Sequence, residues 1–353
     1  MSKEHSHLWP GVPLALGSAA LFGAVSPLSK VILEAVNPIM LAGLLYLGAG
    51  LGLGILWLSR RASGRAQNEA GLQPSDVPWL CAAIAMGGVV GPVLLVSGLA
   101  LTTASSAALL LNVEGLATMA IAWLVFRENV DRRLLLGAGA ILCGAIVLSW
   151  TGQGVTLNSG ALLVVGACAA WGIDNNLTRK ISAADPVTIA TLKGLVAGTL
   201  NVSLALLYGS ALPQASSFGA AAAVGFLGVG VSLVMFILAL RHLGTARTGA
   251  YYSLAPFIGA LLAILLLGEP VTVRLLVAGA LMAVGLYFHL AERHEHEHEH
   301  EALEHEHSHV HDEHHDHPHD GPVSEPHSHR HSHVPMTHKH PHYPDLHHRH
   351  EHH

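Results

Sequence analysis

Long apolar runs, separated by short polar joints, fill the chain from Trp9 to Leu290. About 20 helical residues cross the hydrocarbon layer of a membrane, and a soluble core has no use for so many runs of this length. The pattern therefore predicts ten membrane-spanning helices. They cover Pro10–Ser29, Asn37–Leu58, Val77–Leu99, Ala104–Phe126, Leu134–Trp150, Gly160–Leu177, Pro186–Leu207, Phe218–Leu240, Thr248–Leu267 and Leu275–Leu290.

The lysines and arginines in the joints predict how these helices are oriented. If the amino terminus is cytoplasmic, only Lys30 and Arg274 of the basic residues near helix ends fall on the outside. Cytoplasmic loops carry the excess of basic residues in membrane proteins. We therefore expect both termini in the cytoplasm and the chain in the inner (plasma) membrane of the cell.

The second half of the apolar region repeats the first at an offset of 141 residues. RENVDRRLLLGAGAILCG, residues 127–144, aligns with GEPVTVRLLVAGALMAVG, residues 268–285, and this alignment pairs Arg133 with Arg274. Each half would cross the membrane five times, an odd number, so the second half would lie inverted. Inverted repeats build secondary transporters, whose substrate site lies between the halves near the midplane.

Three segments carry a family resemblance: TTASSAALLLNVEGLATMAIAWLVFREN, its counterpart GTARTGAYYSLAPFIGALLAILLLGEPVT, and AAWGIDNNLTRK. They resemble the EamA-type branch of the drug/metabolite transporter superfamily, whose members export amino acids, metabolites, drugs or metal ions. The resemblance implies an all-α polytopic membrane protein, with five-helix repeats at 10–150 and 160–290. A cytoplasmic amino terminus (1–9) and a tail (291–353) flank them. Members with a histidine-rich carboxyl tail resemble the nickel and cobalt resistance transporters.

Motifs of enzymes and ATP-driven pumps do not occur in the sequence. It contains no Gly-x-x-x-x-Gly-Lys-Ser loop, no His-Glu-x-x-His motif and no nucleophile constellation. We therefore expect a transporter that is not an enzyme, requires no cofactor and is driven by an ion gradient, with protons as the coupling ion. The expected partners are the lipid bilayer and the substrate, without nucleic acid, and a homodimer is left open.

Glu114 is the candidate membrane carboxylate for transport, near the middle of the fourth predicted helix. Ionisable residues inside a span are costly and mark transport sites. Asn112 lies near it in the sequence, and Ser253 is the position in the second half that aligns with Asn112. Glu114 would ligate a divalent cation or exchange it for a proton; the alternative is a protonated side chain that only joins helices.

Four further polar or aromatic residues lie within spans. Asp174 and Lys193 occupy similar depths on consecutive helices, so an ion pair is expected, either structural or part of a relay. Asn175 supplies an amide oxygen for a ligand or a bond between helices. Trp171 would line a cavity or pack in the core.

The tail from residue 291 to residue 353 holds 24 of the 28 histidines, because four lie before it. Such a composition cannot bury an apolar core and predicts a disordered segment. Imidazole suits Ni²⁺, Co²⁺ and Zn²⁺, and alternating His-x-His places ligands on one side of an extended chain. The candidate ligands, for a metal that is substrate or regulator, are His294, His296, His298, His300, His305, His307, His309, His311, His314, His315, His317 and His319.

Together these features predict a secondary exporter of divalent transition-metal ions, with nickel or cobalt favoured, proton-coupled, and with a metal-binding tail at its cytoplasmic face. The alternative is an exporter of metabolites or amino acids whose tail only buffers or senses metal. A membrane-anchored metal store is a third hypothesis, which the inverted repeat disfavours because a store needs no such repeat.

Overall fold

The structure is a computed structural model and describes residues 11–62, 71–126, 132–150, 157–181 and 184–290, with four short strands beyond them. Among these residues, seven helices are long and apolar enough to cross a membrane. The chain is therefore a polytopic helical membrane protein. Its helices are α1 (Gly11–Gly23), α2 (Val25–Ile32), α3 (Pro38–Ala62), α4 (Val77–Ala83), α5 (Gly91–Leu101), α6 (Ala104–Leu110), α7 (Val113–Phe126), α8 (Arg132–Ser149), α9 (Ser159–Arg179), α10 (Pro186–Leu207), α11 (Ala215–Val224), α12 (Ser232–Tyr252), α13 (Ala255–Leu267) and α14 (Val273–Leu290).

Helices occupy the predicted segments, most with ends within three residues of the predicted ones. One difference is α12, which stays helical through residues 241–247, where a joint was predicted. The rings of Phe236 and Tyr252 nevertheless lie 4.8 Å apart. Sixteen residues of straight helix would separate them by about 24 Å. The chain therefore reverses direction inside α12, and the predicted reversal is made by helical turns.

Two π-helical segments interrupt the bundle at corresponding places. Ile84–Val90 lies between α4 and α5, and Gly225–Val231 lies between α11 and α12. Their starts are 141 residues apart, which is the offset of the sequence repeat. This correspondence indicates that both halves use the same helix distortion. Such π segments frequently lie at functional sites.

Two helices break near the middle of the bundle. Leu111 and Asn112 form a turn between α6 and α7, and Ser253 and Leu254 form a turn between α12 and α13. Asparagine and serine favour such turns because their side chains compete for backbone hydrogen bonds. Pro256 stands in the first turn of α13, where its missing N–H costs nothing.

Helices of the two halves pack in symmetric pairs. Helix α3 packs along α10, α8 along α14 and α6 along α13, while α9 packs on α5 and α7 much as α1 packs on α12 and α13. Glycines permit the closest approach: Gly50 of α3 meets the backbone of Gly194 in α10. The pairing pattern is that of two similar halves. Ten crossings in two inverted repeats nevertheless remain a prediction.

The tail contains four short segments whose backbone is described. Its backbone forms β1 (Glu295–His300) antiparallel to β4 (Met336–Pro341), and β2 (Glu304–His309) antiparallel to β3 (His327–Ser332). The alternation of histidine with another residue has a period of two, which is the period of a strand. The disorder of the tail as a whole remains a prediction.

Candidate transport cavity

A cavity of about 180 Å³ lies in the middle of the helix bundle. Side chains of α1, α2, α3, α5, α7, α9 and α12 line it, together with the second π segment. A dry cavity of about 150 Å³ holds benzene, so this one accommodates the apolar body of a small organic molecule. Most of the lining is aliphatic, with four aromatic rings and one carboxylate.

Glu114 supplies that carboxylate. It lies in the first turn of α7, directly after the helix break. Its Oε1 accepts a hydrogen bond of 3.0 Å from Nδ2 of Asn175, and the same nitrogen donates to Oγ1 of Thr118 at 3.1 Å. The amino-terminal end of a helix favours a negative charge. Asn175 therefore fixes the carboxylate at the positive end of a half-helix that faces the cavity.

Aromatic side chains form much of the remaining wall. Hydroxyl and indole groups of Tyr46 and Trp171 both donate to the carbonyl oxygen of Gly87, at 2.7 and 2.9 Å. Gly87 lies in the first π segment, where the regular helical ladder is interrupted and carbonyls accept side-chain donors. The rings of Phe22 and Tyr252 pack at a tilt of 38°, with their centroids 5.6 Å apart. The polar ends of Tyr46 and Trp171 are thus held in the wall, and both residues line the cavity.

Asp174 and Lys193 form the expected ion pair, which joins α9 to α10. Asp174 is buried, and its second oxygen accepts a hydrogen bond of 3.1 Å from Oγ1 of Thr178. The carboxylate fills the space beside Gly87, because a Cβ at that glycine would overlap Oδ2. The pair therefore stands behind the cavity wall and supports the π segment.

The other candidates lie outside the lining. Asn112 donates to the carbonyl oxygen of Leu109 at 2.8 Å and forms part of the first helix break. Ser253 lies at the second break. Six of the tail histidines lie in strands whose backbone alone is described: His296, His298, His300, His305, His307 and His309. The other six lie outside the described residues: His294, His311, His314, His315, His317 and His319.

Sequence reasoning missed two tyrosines of the wall, Tyr46 and Tyr252. Both lie within apolar runs and away from the interfaces where aromatic residues usually gather. The chain has only six tyrosines. A tyrosine far from the membrane interface was therefore the signal that could have identified these two residues as part of the site.

Apolar helices that enclose a solute-sized cavity with one oriented carboxylate define the class of polytopic membrane transporters. The model of the EamA-like transporter family matches residues 9–150 and again residues 158–291. The chain belongs to this family, whose members are membrane transporters and not enzymes.

Individual relatives agree with this assignment. The chain is 27% identical to an uncharacterised transporter of Methanothermobacter thermautotrophicus, over 79% of this chain and 85% of that protein. It is also 27% identical to a probable amino-acid metabolite efflux pump of Salmonella typhimurium, over 53% and 67% of the two chains. A crystal structure with 19% identity superposes with a TM-score of 0.57, covering 79% of this chain and 95% of that one, and supports the fold alone.

Proposed function

We propose that this transporter exports small organic solutes that carry a positively charged amino group on an apolar body. The observation that supports it most is the single carboxylate of Glu114 in a cavity walled by four aromatic rings. Aromatic faces attract organic ammonium groups, and a carboxylate neutralises their charge. The aliphatic lining suits the rest of the molecule. The Salmonella relative is described as a probable amino-acid metabolite efflux pump, and amino-acid metabolites are compatible with such a substrate class.

Protons are the proposed coupling ion. Glu114 supplies the carboxylate of the cavity lining among the described residues. One carboxylate cannot hold a proton and pair with an ammonium group at the same time, so the two compete for it. Such competition exchanges inward proton movement for outward solute movement.

The proposed topology has ten crossings in two inverted halves, with both termini in the cytoplasm and the chain in the inner membrane. The matched π segments and the matched helix breaks support the repeat. Arg274, one exception to the charge rule, donates to the carbonyl oxygen of Trp150 at 2.5 Å. A cation is favourable at the carboxyl end of a helix. Arg274 therefore has a structural role at this position, and its location outside is compatible with the proposed orientation.

Export of nickel or cobalt is the second candidate, and the 24 histidines of the tail are the observation that favours it. The cavity does not add support. Among the described residues, no three histidine, cysteine, aspartate or glutamate side chains group to hold a metal ion. Transition-metal sites take several such ligands. In the proposal, the tail binds metal as a buffer or regulator at the cytoplasmic face.

A tolerance panel separates the two functions. Cells that produce the full chain, a chain truncated after Arg293, or no chain would be challenged with toxic organic amines and with Ni²⁺ and Co²⁺. We expect amine tolerance from both forms of the protein and metal tolerance from the full chain only, because the tail buffers metal. Metal tolerance from both forms, without any amine tolerance, would favour metal export.

A further inference from the structure

The corner between α5 and α6 is tied to a lysine from another helix. This corner consists of Thr102 and Thr103. Lys30, in the last turn of α2, donates from Nζ to the carbonyl oxygens of Leu99 at 2.5 Å and Thr102 at 2.7 Å. These carbonyls belong to the carboxyl end of α5, which favours a cation. Lys30 therefore closes the end of one helix with the side chain of another.

A glutamate from the opposite half ties the other side of the same corner. Glu269, in the joint between α13 and α14, accepts hydrogen bonds from the backbone N–H groups of Ala104 at 2.7 Å and Ser105 at 2.9 Å. These N–H groups begin α6, where a carboxylate is favourable. Since Glu269 belongs to the second half and Ala104 to the first, this contact spans the boundary between the halves.

Packed side chains separate this corner from the cavity. Ser26, Val96 and Leu111 line the cavity, and Lys30 lies about one helical turn beyond Ser26. Leu99, Ala108 and Leu110, which lie between the two levels, are 0–1% exposed. The cavity is therefore shut at the end that bears Lys30, and the charged contacts lie directly over the packed layer.

We propose that Lys30 and Glu269 are gating residues that hold the cavity shut at this end and release it when the solute leaves. The inference rests on the proposed function, in which this end faces outside. Rocking one half against the other opens such a cavity, and this motion must break the contact of Glu269 with α6. Both side chains bind backbone groups near the surface, so water can replace the protein partners when the contacts open.

Labelling of a cavity cysteine tests the gate without any transport substrate. Ser26→Cys would be placed in the full chain, with the native cysteines Cys81, Cys143 and Cys168 replaced, in sealed vesicles. A membrane-impermeant thiol reagent would be added on the side that bears Lys30. Glu269→Gln keeps the shape but leaves an amide N–H₂ facing a backbone N–H. In the Glu269→Gln variant, the cysteine introduced by Ser26→Cys should react about ten-fold faster than in the parent. Lys30→Met should accelerate the reaction to the same extent.

Two further variants sharpen the result. Glu34→Gln makes the same charge change at an exposed position near the same end, and should label at the parent rate. Lys30→Arg retains a donor for the carbonyls and should also behave like the parent. Unchanged labelling in Glu269→Gln would overturn the gate, even if Lys30→Met failed to fold. Faster labelling together with failed amine transport would retain the gate and reject the proposed substrate.

Discussion

One carboxylate carries the charge chemistry of the cavity. Glu114 starts a half-helix, is oriented by Asn175 and borders four aromatic rings. The aromatic rings favour a bound cation with an organic body over a hydrated metal ion. The function of the cavity should therefore depend on the ionisation of this side chain more than on its shape.

Glu114→Gln tests that dependence. The amide preserves size and still accepts a hydrogen bond from Asn175, but it cannot ionise. We expect expression and thermal stability close to those of the parent, and a loss of solute export of roughly ten-fold or more. Export would be measured in energised inverted vesicles. The exposed variant Glu34→Gln should transport normally, whereas full export by Glu114→Gln would exclude Glu114 as the coupling group.

The ion pair of Asp174 and Lys193 should stabilise the folded protein, because it supports the cavity wall. Asp174→Asn leaves a cation without its partner in the membrane, and breaking a buried pair costs about 3–5 kcal/mol, less here because Lys193 is partly exposed. The double variant Asp174→Asn with Lys193→Met should regain most of that stability. Thermal unfolding in detergent measures all three. A double variant no more stable than Asp174→Asn would contradict this role.

Sequence alone located part of this site. Glu114, Asp174 and Lys193 stood out because charge inside a span is costly and therefore rare. Tyr46 and Tyr252 did not stand out, because an aromatic ring packs well in an apolar helix whether or not it borders a cavity. Only the fold shows that the hydroxyl of Tyr46 and the indole of Trp171 meet at Gly87. Such convergence involves three separate segments, which are α3, α9 and the first π segment.

At the scale of elements, the π segments shape the cavity. Gly87 places its carbonyl oxygen between two wall rings and its bare Cα against Asp174. In the second segment, Gly225 lies so close to α3 that a Cβ would overlap the backbone carbonyl oxygen of Leu45. Both distortions therefore depend on glycine for close contact, with a side chain at Gly87 and with a helix backbone at Gly225.

Gly225→Ala should be costly, and the chain offers a matched control. The added methyl group would push α3 and α11 apart at a point where backbone cannot yield, at a cost of about 1–3 kcal/mol. Gly219→Ala, in the adjoining helix α11, meets nothing within 4 Å and should be neutral or slightly stabilising. Thermal unfolding compares them. Equal stability of the two variants would contradict the close packing at Gly225.

Hydrophobic pattern predicted the helices well and their interruptions less well. Runs of apolar residues determine where a helix lies in a membrane, so the bounds of α10 agree with the prediction at both ends. The π segments were not predicted, because adding one residue to a turn leaves the hydropathy unchanged. The reversal inside α12 was placed correctly by its basic and polar residues, although helical turns make it.

At the scale of the whole molecule, the membrane bundle and the tail have different chemistry. The bundle concentrates apolar and aromatic groups around one carboxylate, whereas the tail concentrates imidazoles and carboxylates in a polar segment. The resemblance to nickel and cobalt transporters came from the tail, while the match to the EamA-like family comes from the bundle. In the proposed function, metal binding by the tail is therefore separate from transport by the bundle.

Metal binding by the tail should depend on pH. A metal ligand must be a neutral imidazole, and an unperturbed histidine has a pKa of about 6.5. Binding of Ni²⁺ to the full chain in detergent should be strong at pH 7.5 and should be lost as the pH falls through 6. Calorimetry of the full chain and of a chain truncated after Arg293 measures this. Unchanged binding at pH 5 would identify carboxylates as the ligands.

The central claim concerns the chemical class of the solute, and proton-driven uptake into reconstituted vesicles tests it most directly. Full-length protein would be supplied with an apolar primary amine, its uncharged isostere of the same size, and Ni²⁺. A proton gradient should drive uptake of the amine alone, and Glu114→Gln should abolish it while Glu34→Gln retains it. Proton-driven uptake of Ni²⁺ without uptake of the amine would contradict the claim.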